Sequence, residues 1–62
     1  MKIYHESQWI EVETTDPRVS EMKIRIGQGA YIERDARIER GARIEQGARI
    51  ERGAYIGRGA II

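Results

Sequence analysis

The chain has no cysteine, no phenylalanine, one proline and one histidine, and these scarcities narrow what it can be. Without cysteine there is no disulfide staple and no thiolate metal site, so the framework of small secreted domains is excluded and a reducing, cytoplasmic compartment is expected. No apolar run approaches the ~18 residues a membrane span needs, and the opening Met1-Lys2-Ile3-Tyr4-His5-Glu6 lacks a signal peptide's apolar core. A dominant charge is missing too. Eleven Lys+Arg face ten Asp+Glu, and a net charge of +1 makes no strong field toward nucleic acid or an anionic membrane. At 62 residues the chain has room for one small unit, and chains of this size bury only about 60% of their unfolded surface.

What is present is a repeat of period six. Ile26, Ile32, Ile38, Ile44, Ile50, Ile56 and Ile62 recur without a gap, and Ala30, Ala36, Ala42, Ala48, Ala54 and Ala60 each follow four residues after an isoleucine. Gly29, Gly41, Gly47, Gly53 and Gly59 precede alanine, with Asp35 as the only substitute. On a helix, at about 100° per residue, a step of six sends successive isoleucines in three directions. On a strand, steps of six and four are both even, so isoleucine and alanine share one side. The repeat is a β pattern, and it must bend, because strands seldom exceed about 10 residues. Glycine accepts positive φ without steric cost and aspartate tolerates it, so Gly29, Asp35 and their equivalents mark corners.

Ile38-Glu39-Arg40-Gly41-Ala42-Arg43 and the two hexads after it resemble the hexapeptide-repeat, or bacterial transferase hexapeptide, family. The resemblance covers residues 26–62. It implies an all-β fold, a left-handed parallel β-helix of about two coils with three hexads each, isoleucine on the axis and alanine in the corners. Side chains eighteen residues apart then stack. Tyr31 is expected over Arg49, Arg37 over Tyr55, and Arg25 over Arg43 leading to Ile61, with guanidinium–ring contacts worth about 0.5–1 kcal/mol at exposed sites.

Residues 1–25 break the repeat and are expected to form an irregular N-terminal cap. Trp9-Ile10-Glu11-Val12-Glu13 alternates enough for a strand, and Asp16-Pro17 reads as a helix N-cap followed by proline at the first helical position, predicting a short helix over 17–21. Met22, Ile24 and Ile26 share one side of the segment entering the repeat. Tyr4, Trp9 and Val19 are the candidate lid. Ile61 and Ile62 end the chain in mid-repeat, an edge expected to be sticky.

Many members of the resembling family are acyltransferases with a histidine general base and acyl-CoA bound between subunits. None of those residues has a counterpart here: His5 lies far before the first hexad, and no His, Asn, Ser or Thr occurs from Ile24 onward. A related branch binds a metal through three histidines, which one histidine cannot supply. Neighbours on an extended His5-Glu6-Ser7 segment would point to opposite sides, which argues against a triad. Gly27-Gln28-Gly29 and Gly57-Arg58-Gly59 lack the third glycine and following helix of a dinucleotide loop. Glu33, Glu39, Glu45 and Glu51 are interleaved with arginines that would oppose calcium.

No catalytic, cofactor or metal residues are therefore assigned. The leading expectation is a non-enzymatic, self-assembling β-helix module, its partner a second copy of the chain in a trimer or an end-to-end dimer. The alternative is the N-terminal part of an acyltransferase-like protein whose sites lie elsewhere. Residues 26–62 hold seven arginines against four glutamates and one aspartate. That small excess argues against a nucleic-acid partner on the Arg/Tyr faces.

Overall fold

Each hexad contributes two residues to a ladder and spends the other four on a corner, as seen in a computed structural model that describes all of residues 1–62. The repeat forms six such strands: β3 (Arg25–Ile26), β4 (Tyr31–Ile32), β5 (Arg37–Ile38), β6 (Arg43–Ile44), β7 (Arg49–Ile50) and β8 (Tyr55–Ile56). Before them come β1 (Lys2–His5), β2 (Gln8–Glu11) and a single helix, α1 (Pro17–Glu21). The corner residues take the left-handed conformation the repeat requires. Gly29, Gly41, Gly47, Gly53 and Gly59 have φ between 72° and 79°, and Asp35, their one non-glycine equivalent, has φ 65°.

Strands eighteen residues apart pair in parallel. Arg25 and Ile26 face Arg43 and Ile44, Tyr31 and Ile32 face Arg49 and Ile50, and Arg37 and Ile38 face Tyr55 and Ile56. The first two pairings are two-stranded sheets; the third belongs to a four-stranded sheet in the order β2-β1-β5-β8.

The hairpin makes that larger sheet mixed. β1 runs antiparallel to β2 and parallel to β5, with Lys2 opposite Arg37 and Ile3 opposite Ile38. Its two-residue turn, Glu6-Ser7, has φ 52° and 70°, the double positive value that hairpin turns of this length favour. His5, Glu6 and Ser7 are thus a strand end and a turn, not a continuous extended segment.

The all-β, triangular left-handed β-helix expected from the resemblance is corrected here. The chain is a small mixed-sheet domain whose sheets are flat, with none closed or curled. The physical reason lies in the ladders. Two-residue strands carry little twist or coil of their own, and an antiparallel hairpin joins the largest sheet where the repeat alone would allow only parallel neighbours.

Helix α1 starts as its sequence dictates. The Asp16 carboxylate accepts from the Arg18 backbone N–H at 2.9 Å, and Pro17 sits in the first turn, where a missing N–H costs nothing. The Arg18 guanidinium returns to the same carboxylate at 2.8 and 3.0 Å. Those bonds hold the Asp16 carboxyl down at about 2.

Ile3, Ile38 and Ile44 are the largest fully enclosed side chains, packed with Met1, Val12, Val19, Met22, Ile24, Ala36, Ala42, Ile50 and Ile56. Ile26, Ile32, Ala30, Ala48, Ala54 and Ala60 are partly buried against this cluster. Ile62 is 46% exposed. Of the three lid candidates, Val19 is buried, Trp9 half-buried and Tyr4 exposed. No helix is long and apolar enough to cross a membrane.

Candidate anion-binding groove and aromatic face

Alternation along β3 and β6 turns Ile26 and Ile44 toward the core and leaves Arg25 and Arg43 exposed. The parallel register sets the two arginines directly opposite each other, and a further parallel bridge joins Arg43 to Ile61. Lys23, two residues before Arg25, is exposed with φ 62°. Lys23, Arg25, Arg43, Ile61 and the corner glycines Gly41 and Gly59 line a shallow groove of about 330 Å³. The two glycines stack closely. A Cβ on Gly41 would approach the Gly59 backbone nitrogen at 3.7 Å.

The electrostatics of this groove are one-sided. Three cations line it and no carboxylate does. The chain has three ion pairs, Met1 ammonium–Glu11, Lys2–Asp35 and Arg18–Asp16, and none involves a groove cation. Like charges on facing strand positions are mutually destabilising by a few tenths to about 1 kcal/mol, so an anion that bridges them relieves repulsion as well as gaining attraction. Guanidinium forks suit the planar oxygens of phosphate and carboxylate.

A second surface lies on the four-stranded sheet. Trp9, opposite Tyr4 across the hairpin, has its ring 5.3 Å from that of Tyr4 and 6.2 Å from that of Tyr55, both edge-to-face. Arg37 lies over the Trp9 ring, its Cζ 5.3 Å from the centroid. The sequence register places Arg37 beside Tyr55, and the backbones do pair so. The guanidinium nevertheless stacks on Trp9, because β1 brings the hairpin alongside β5. On the β4–β7 sheet, Arg49 does lie over Tyr31, at 5.8 Å.

A second cavity, also about 330 Å³, borders β4 and the segment after β2. Glu11, Glu13 and Glu33 line it against Arg34 and the Met1 ammonium, which is already paired with Glu11, so an excess of carboxylates makes it unsuited to an anion. Nowhere do three His, Asp or Glu side chains converge as metal ligands. His5 ends β1, opposite Gln8, half-buried.

The Arg25–Arg43–Ile61 stack is legible in the eighteen-residue spacing. Lys23 is the part that sequence reasoning missed, and the signal available was its alternation with Arg25. Trp9 stands at the centre of a cluster with Tyr4, Tyr55 and Arg37, and nothing in the hexads points to that.

The chain matches no family model, no curated protein and no solved structure. The flat mixed sheet overturns the resemblance to hexapeptide-repeat proteins. The two functional expectations built on it, a self-assembling β-helix module and the opening part of an acyltransferase-like protein, lose their architecture.

Proposed function

We propose that the protein is a small binding module that holds an anionic, phosphate- or carboxylate-bearing ligand in the groove between Lys23, Arg25 and Arg43. One observation carries this reading: three cations line a single groove with no carboxylate among them and no ion pair to occupy them. The near-zero net charge of the chain does not oppose it, because screening confines electrostatic influence to about 10 Å and the local set of charges decides. The absence of cysteine suits a reducing compartment, and our reading keeps the protein in the cytoplasm.

Titration with inorganic tripolyphosphate, followed by amide chemical shifts at low salt, tests the reading. Shifts centred on Lys23, Arg25, Gly41, Arg43 and Gly59 are expected, with affinity that falls as salt rises. Lys23→Glu and Arg43→Glu should each weaken binding about tenfold or more, the loss of a charge-assisted contact worth about 1.5–3 kcal/mol. No binding at low salt, or binding untouched by both reversals, would remove the proposal.

A further inference from the structure

Resting on that reading, we infer that the anionic ligand is single-stranded nucleic acid, its phosphates in the basic groove and its bases on the Tyr4–Trp9–Tyr55 face. The two surfaces flank one corner of the chain. Arg37 and Tyr55 are register partners on β5 and β8, and four residues further along the chain, in the corners that follow, stand Gly41 and Gly59 in the lining of the groove. The two connecting segments run side by side, since the Gly59 N–H donates to the Arg40 carbonyl at 3.3 Å. At about 3.3 Å per residue, four residues separate face from groove by no more than roughly 13 Å, within reach of a short oligonucleotide. Arg40 and Arg58 are exposed on the corner between them, and Glu39, half-buried, is the only acidic residue on either segment.

The aromatic face has the properties base stacking needs. Tyr4 is 48% and Tyr55 57% exposed, so both rings offer surface to a ligand. Trp9 holds them through edge-to-face contacts, and Arg37 covers part of the Trp9 ring. Aromatic platforms beside a cationic track bind single strands without reading sequence, because every base has a flat face to stack. A duplex keeps those faces inside its own stack, and the face and groove therefore favour an unpaired strand.

Trp9 is the only tryptophan, so its fluorescence reports on this face directly. A dodecameric oligothymidylate and an inorganic polyphosphate of similar charge are titrated in parallel. The oligonucleotide is expected to quench Trp9 and to bind about tenfold or more tightly than polyphosphate, the gain from stacking one or two bases. Tyr55→Ala should erase that advantage while leaving polyphosphate affinity unchanged, and Tyr55→Phe, which keeps the ring, should retain it. If the oligonucleotide binds no more tightly than polyphosphate and leaves Trp9 unquenched, the nucleic-acid inference fails and the anion groove stands. Should polyphosphate itself fail to bind at low salt, the groove reading fails and the inference with it. An advantage that survives Tyr55→Ala would likewise overturn the stacking role.

Discussion

Ile3 lies opposite Ile38 in a parallel ladder, and neither side chain has measurable exposure to solvent. The pair joins residues thirty-five apart, which is no multiple of six, so the contact belongs to the fold and not to the repeat. It ties the N-terminal hairpin to the centre of the core.

Truncating either member should be costly. Ile3→Ala and Ile38→Ala are each expected to lower unfolding free energy by about 2–5 kcal/mol, from lost burial plus the cavity left behind. In a domain of this size that consumes most of the stability. Urea denaturation read by Trp9 fluorescence measures both, and a double-mutant cycle should show coupling, since the two side chains share one site.

Gly27 and Gly57 occupy the same place in their hexads, yet should respond oppositely to alanine. A Cβ on Gly27 would collide with the Gln46 nitrogen and sit 2.7 Å from the Glu45 carbonyl carbon, both backbone atoms. At Gly57 a Cβ meets nothing within 4 Å. Gly27→Ala should destabilise by about 1–3 kcal/mol through overpacking. Gly57→Ala should be neutral or stabilising by up to about 1 kcal/mol, because it restricts the unfolded chain. Thermal melts of the two variants side by side provide the comparison.

The Glu6-Ser7 turn holds two non-glycine residues at positive φ. Replacing them together by Asn-Gly, the pair that suits such turns, should stabilise the hairpin by about 1–2 kcal/mol. Raised amide-exchange protection across β1 and β2, with the rest of the exchange pattern retained, is the expected result.

Asp16 sets a pH limit on helix α1. Its carboxyl is lowered from 3.8 to about 2, chiefly by the hydrogen bonds it accepts from the Arg18 side chain and then by the one from the Arg18 backbone. A depressed carboxyl contributes stability that is fully present above its unfolded value and is lost as pH falls through the folded one. Helix signals should therefore persist at pH 4 and fade between about 4 and 2. Asp16→Asn should lose that acid transition, followed by the chemical shifts of Val19 and Met22.

Residue spacing and local preference were enough for the hexad pattern, its corners and the start of the helix. Steps of six and four put isoleucine and alanine on one side, glycine or Asp35 before alanine marked the positive-φ corners, and Asp16-Pro17 specified the start of α1. The eighteen-residue register, and with it the Arg25–Arg43 and Tyr31–Arg49 neighbours, came from the three hexads per coil that the resemblance implied, not from the period of six alone. Tertiary structure alone decided the rest. Glu6-Ser7 carries no recognisable hairpin signal, since neither residue type favours the positive φ that both adopt in the turn. Once that hairpin docks, the main sheet is mixed, Arg37 meets Trp9, and the sheets remain flat instead of following the curved solenoid the repeat suggests. The groove has the same origin. A count along the chain finds charges nearly balanced, whereas folding places Lys23, Arg25 and Arg43 on one surface and leaves the carboxylates elsewhere, because charge is summed in space.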